Sequence, residues 1–187
     1  NNGTGSFATP PTRMVGSFPL SVVAADLDGD GDPDLAVANH SSDTISILRG
    51  NGDGTFGVAV AVTAGAAPYS IASGDFDGDG DCDLAVANNG ESTVGVFLNN
   101  GDGTFAPMAT YPVGTNPHWI SAGDLDGDGH CDLVTADYTS NRVSVLLGRG
   151  DGTFAPAVGY RTGANPGAVF IGDLDGDGGL DLATADQ

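Results

Sequence analysis

Apolar and polar residues alternate along this chain in short bursts separated by turns. Ile45 and Ile47, Val94 and Val96, and Val143 and Val145 stand two apart inside such runs. That spacing turns one face of a strand inward. Before each of these runs lies a more continuous apolar segment, over residues 35–39, 84–88 and 133–137, which reads as a buried strand. A polar turn joins the two, at residues 40–43, 89–92 and 138–141. An earlier strand starts near a proline, at Pro19, Pro68, Pro117 and Pro166. A later one starts at Phe56, Phe105 and Phe154; Pro107 and Pro156 lie two residues into it, which suits an outer edge strand. No amphipathic helix is legible anywhere.

The whole pattern repeats every 49 residues without insertion or deletion. Four antiparallel strands per unit of this length predict an all-β fold built of β-propeller blades. The expected division of the single region 1–187 is three whole units (17–65, 66–114 and 115–163) between two partial ones. Residues 1–16 carry the outer strand of one partial blade, centred on residues 7–15, and 164–187 carry two strands of the other. Such a slice does not close a regular ring by itself. Its expected partners are the rest of a longer chain or other copies of itself at the open edges.

Between the first and second strands of each unit sits an acidic loop. The first reads Asp26, Asp28, Asp30, Asp32 and Asp34 at positions one, three, five, seven and nine, with Gly31 at six. The others carry Asp75, Asp77, Asp79, Asp81 and Asp83; Asp124, Asp126, Asp128, His130 and Asp132; and Asp173, Asp175, Asp177, Gly179 and Asp181. So many carboxylates on one tight loop repel one another unless a cation binds. A hard ion that takes six to eight oxygens, Ca²⁺ in preference to Mg²⁺, answers that need. Positions one, three, five and nine are expected to ligate through their side chains. The variable seventh position (Asp32, Asp81, His130, Gly179) is expected to ligate through its backbone carbonyl. An EF-hand needs a glutamate at position twelve; Val37, Val86, Thr135 and Thr184 stand there, and a strand follows. Four Ca²⁺ per chain are expected.

Net charge is −20, but 18 of the 25 acidic residues lie inside these loops, and four Ca²⁺ would reduce it to −12. The acidity is therefore metal chemistry. With no lysine and five scattered arginines, it argues against nucleic acid as a partner. No apolar run is long enough for membrane insertion.

The segment 74–87, GDFDGDGDCDLAVA, and the segment 98–105, LNNGDGTF, resemble FG-GAP/VCBS repeats, and the likeness extends over essentially the whole chain. That family includes the integrin α-subunit propeller and many secreted proteins. The resemblance implies Ca²⁺ in the loop between the first two strands of a blade, an extracellular or cell-surface location, and a usually non-catalytic propeller of about seven blades. The expected function is adhesion, recognition of a glycan or protein, or assembly. A fibre-forming building block with strand exchange, or the accessory propeller of a polysaccharide-active enzyme, are the alternatives.

Tyr69, His118 and Trp119 precede the first strands of their units, at the blade end opposite the acidic loops. They are candidates for a ligand face, or else they fill gaps between blades. Cys82 and Cys131 share one loop position in neighbouring units, and are candidates for a disulfide or for two separate thiols. Asn2 and Asn39 each begin an N-glycosylation triplet.

Overall fold

A computed structural model describes residues 12–187. The expected outer strand at the beginning of the chain, and Asn2 with it, falls largely outside them. The strands of the first sheet are β1 (Pro19–Ala25), β2 (Asp34–Asn39), β3 (Thr44–Leu48) and β4 (Val60–Thr63). The second holds β5 (Pro68–Gly74), β6 (Asp83–Asn88), β7 (Thr93–Phe97) and β8 (Ala109–Pro112). The third holds β9 (Pro117–Gly123), β10 (Asp132–Asp137), β11 (Arg142–Leu146) and β12 (Val158–Arg161). Last comes a two-stranded sheet of β13 (Ala168–Gly172) and β14 (Asp181–Ala185). Every sheet is an antiparallel meander in chain order, and no helix occurs among the described residues.

Consecutive sheets stack face to face in one repeated manner. Ala36, Ala38, Ile45 and Ile47 of the first sheet pack on Ile71, Leu84, Val86 and Phe97 of the second. The other face of the second sheet, with Ala85, Ala87, Val94 and Val96, packs on Ile120, Leu133 and Leu146 of the third. Val134, Ala136 and Val143 then meet Val169 of the last sheet. The middle strands are buried on both faces, which is why their sequence is continuously apolar. Serines knit neighbouring innermost strands: Ile71 N–H donates to Ser21 Oγ (3.4 Å) and Ile120 N–H to Ser70 Oγ (3.3 Å).

The fourth strand begins later than the sequence suggests. Phe56, Phe105 and Phe154 each form a single bridge, to Gly50, Asn99 and Gly148, and the ladder resumes only at Val60, Ala109 and Val158. Pro107 and Pro156 lie in the unpaired gap, where a missing N–H costs nothing. Unit one has the same gap with Val58 in that place, so the closing turn, not the proline, sets it.

Candidate metal centre

Each acidic loop leaves the first strand of its sheet and re-enters at the second, whose first residue is the ninth-position aspartate. The first aspartate organises the turn. Asp26 Oδ1 accepts the Gly29 N–H and Oδ2 accepts the Gly31 N–H, both at 2.9 Å. Asp75, Asp124 and Asp173 do the same in their loops. The second of these bonds requires a left-handed residue at position six: φ is 89°, 92°, 88° and 91° at Gly31, Gly80, Gly129 and Gly178. Only glycine adopts that conformation without strain.

The ninth aspartate anchors the loop to the sheet. Asp34 accepts the Leu27 N–H at 3.0 Å and the Gly50 N–H at 2.6 Å. Asp83 takes Phe76 and Asn99, and Asp132 takes Leu125 and Gly148. All three are at most 1% exposed. In the last loop Asp181 likewise accepts the Leu174 N–H at 3.0 Å.

Positions one, three and nine converge. In Asp26/Asp28/Asp34, Asp75/Asp77/Asp83, Asp124/Asp126/Asp132 and Asp173/Asp175/Asp181, one carboxylate oxygen from each residue lies within 4.8 Å of the others. The donor set is oxygen alone. In the first loop Asp28 is 10% exposed, yet its buried Oδ1 has no hydrogen-bond partner. A buried acceptor without a donor is costly. A hard cation shared with Asp26 and Asp34 satisfies it, so the residues present fit such an ion.

Positions five and seven are placed differently. Asp30, Asp79, Asp128 and Asp177 do not join the triads; each turns an oxygen back to the position-seven N–H, at 2.7–2.9 Å. Position three makes the same kind of local Asx bond, to the position-five N–H, at Asp77, Asp126 and Asp175, and still joins its triad. The side chains of Asp32, Asp81 and His130 lean away from the triads, over Gly52, Gly101 and Gly150 of the following turn. Those glycines leave room that any side chain would fill.

Arg49 went unnoticed in the sequence. Its guanidinium pairs with Asp28 at 3.0 Å and donates to the Asp102 carbonyl oxygen, joining the first acidic loop to the Gly-Asp-Gly turn of the next unit. Leu98 and Leu147 hold the same repeat position, so the second and third sites lack this cation.

Burial raises the carboxyls of Asp28, Asp77 and Asp132, and lifts Asp83 to about 6 against the pull of the two N–H donors it accepts. The sign of the pH effect follows. Between the ordinary carboxylate value and about 6, folded Asp83 holds a proton that the unfolded chain has released, so stability falls as pH rises through this window. Asp53, Asp102 and Asp151, lowered by their threonine bonds, act in the opposite sense only below the ordinary range. Metal-free protein is therefore expected to melt higher at about pH 5 than at about pH 7.5, and metal-loaded protein the reverse, because the ion displaces the proton. Melting curves with and without chelator at both values check this.

The other sequence candidates divide. Tyr69 and His118 stack with centroids 4.4 Å apart, and His118 stacks on Tyr138 at 4.2 Å. His40 meets Tyr69 edge-on and Phe18 continues the row, so a ladder of rings crosses three sheets opposite the acidic loops. Burial, and then the nearby His40, lowers the His118 value. Trp119 stands outside the ladder, 41% exposed, and donates its Nε1–H to Ser121 Oγ. His40 and Tyr138 occupy one repeat position, and that periodicity was the available signal.

The disulfide does not form. Cys82 and Cys131 are both free, because each packs at a different sheet–sheet interface. Cys131 Sγ faces Gly74, and burial pushes its thiol up to about 11. Asn39 is not a surface acceptor for glycan either. It is 0% exposed, with its side-chain NH₂ donating to Thr44 and Ser46 hydroxyls.

Stacked four-stranded meanders, each with an acidic triad between its first two strands, define a repeat protein built of propeller blades. The chain belongs to the FG-GAP-like repeat family, whose model matches residues 1–37, 26–86, 75–135 and 124–184. Comparison with curated proteins gives no match. Among solved structures, BBS1N in a complex with ARL6DN is similar over 95% of this chain and 54% of its own, with a TM-score of 0.66 at 18% identity. The Vibrio cholerae biofilm matrix protein Bap1 is similar over 88% of this chain and 23% of its own (TM-score 0.55, 19% identity). The Photorhabdus luminescens Tc holotoxin pore matches over 86% of this chain and 8% of its own (TM-score 0.52, 25% identity). The chain thus spans about half or less of the length of these structures, and the likeness is one of fold. No helix among the described residues is long and apolar enough to cross a membrane.

Proposed function

We propose that this chain is a Ca²⁺-binding propeller region that works outside the cell and recognises a glycan or protein ligand, without catalysis of its own. The observation that carries the metal assignment is the fourfold recurrence of one oxygen triad on one loop geometry. Extracellular Ca²⁺ suits the role, since oxygen-only sites of modest affinity fill there and not at cytosolic Ca²⁺ levels. The acidic side chains of the loops are committed to backbone N–H groups and to the triads, which leaves them no reacting role. The ring ladder at the opposite end, half-exposed and apolar with polar rims, offers the contact surface.

A second reading, assembly between repeat units, is favoured by one groove. Leu125, Val145, Leu147, Tyr160 and Leu182 line a 340 Å³ hollow on the third sheet. At the preceding interface the matching residues Phe76, Val96, Leu98 and Tyr111 are covered by Leu146 and Phe154 of the next unit. The hollow is thus shaped for a third strand and Gly-Asp-Gly-Thr-Phe turn, whether supplied in cis or by a second copy.

Binding to immobilised glycans and proteins, beside light scattering in Ca²⁺, separates the readings. Recognition expects Ca²⁺-dependent binding by a particle of monomer mass. Assembly expects mass that grows with concentration and no ligand. Absence of bound Ca²⁺ in native mass spectra would overturn both.

A further inference from the structure

The third sheet carries a polar dish built on an arginine pair that the other two four-stranded sheets lack. Arg142 and Arg161 are directly opposed across β11 and β12. Like charges in that register repel. The same pair is Thr44 and Thr63 in the first sheet and Thr93 and Pro112 in the second. In a chain with 25 acidic residues, neither arginine has a carboxylate within 4.0 Å or donates a side-chain hydrogen bond among the described residues. Asp137, at the end of β10, is already occupied by Thr135, Ser144 and Gly114. Asp186 is bound to the Gly163 N–H at the rim.

Around the two guanidinium groups lies a 620 Å³ depression lined by Ser140, Asn141, Gly159 and Thr162. Gly159 makes it. A Cβ there would sit 2.9 Å from Arg142 Cδ and 3.0 Å from Nη1, so the Arg142 side chain lies in space that glycine vacates. Asn141 accepts the Asn165 N–H through Oδ1, which leaves its NH₂ without a partner among the described residues. Two unpartnered planar donors and an amide thus share one hollow with room for a sugar. Beside them, the Ser140 hydroxyl accepts the Thr115 N–H and keeps its own O–H to donate, and the Thr162 hydroxyl donates to the Gly163 carbonyl oxygen and can still accept.

We propose that this dish binds a uronate-type ligand: a sugar whose carboxylate is gripped by Arg142 and Arg161 and whose hydroxyls meet Asn141, Ser140 and Thr162. The inference deepens the recognition reading and rests on it. Bidentate guanidinium–carboxylate contact supplies geometry as well as charge, which a net-negative protein needs because its long-range field repels anions. The site lies at the strand ends remote from the acidic loops, where that repulsion is weakest.

Amide NMR of the Ca²⁺-loaded full chain, titrated with glucuronate, glucose and sulfate, tests it. Saturable shifts at residues 140–142 and 159–164 are expected with glucuronate, none with glucose, and sulfate binding at least about tenfold weaker. Arg142→Thr and Arg161→Thr should each weaken glucuronate at least about tenfold while raising the ligand-free melting temperature, because the repelling pair is gone. Glucuronate shifts that are absent, lie elsewhere or survive Arg161→Thr overturn the site, as does sulfate binding as well as glucuronate. Retained Ca²⁺ in the same sample would confine that failure to the dish; lost Ca²⁺ would fall on the wider reading instead.

Discussion

Excess chelator should lower the melting temperature of this protein by about 20 degrees or more. Each loop adds about 2.7 kcal/mol when free Ca²⁺ stands about 100-fold above its dissociation constant. In a chain of this size about 1 kcal/mol moves the midpoint by about 2–4 degrees. Removal also restores the repulsion of the clustered carboxylates, and leaves Asp28 Oδ1 buried without a partner. Calorimetry across a chelator series, with bound metal counted at each step, reads the effect. A midpoint unmoved after complete metal removal would show the ions to be dispensable to the fold.

Asp83→Ala should destabilise the Ca²⁺-saturated protein by about 3–5 kcal/mol, far more than Asp77→Ala in the same loop. Both variants lose a ligand from one triad. Only the first also strands two buried N–H groups, those of Phe76 and Asn99, at about 1–3 kcal/mol each. Both recipients matter to packing. Phe76 is 1% exposed at the interface of the second and third sheets. Asn99 reaches back through its NH₂ to the carbonyl oxygens of Leu27 and Cys82, joining the first and second sheets. Asp83→Asn should fall between, since one amide oxygen replaces only one of the two acceptors. Urea unfolding of the three variants in saturating Ca²⁺ measures this, and equal losses for Asp83→Ala and Asp77→Ala would refute an anchoring role for position nine.

Much of this was legible because two periods coincide in the chain. Alternation at period two at Ile45/Ile47 and its counterparts gave strands, and the 49-residue recurrence gave their grouping into sheets. Positions one, three and nine of the acidic loops were readable because alternate side chains of a tight turn share one side. Position five shows what spacing leaves out: it tells which side a carboxylate starts from, but not which neighbouring N–H one of its oxygens accepts, as at Asp30. Equivalent register suggested a bond between Cys82 and Cys131, whereas in a stack equivalent residues belong to successive interfaces and do not meet. Asn39 begins a glycosylation triplet in the sequence, but at the end of a buried strand its NH₂ is instead taken by the hydroxyls of Thr44 and Ser46 on the adjacent strand. Arg142 and Arg161 stand 19 residues apart, and only the pairing of β11 with β12 makes them neighbours.

The uniform stacking of the sheets bears on how such chains change over generations. Each interface joins one face of a unit to the opposite face of the next, with the same kinds of residue on each side. A duplication or loss of one whole 49-residue unit therefore replaces every buried contact with an equivalent one, and shifts no register. A gain or loss of a single residue within a strand would turn its inward side chains outward along the rest of that strand. Inheritance in this architecture is quantised: length varies freely by units, and within a unit it is held fixed. Single-unit specialisation, as with the two arginines of the third sheet, then proceeds by substitution alone, leaving the copies on either side as an unaltered frame.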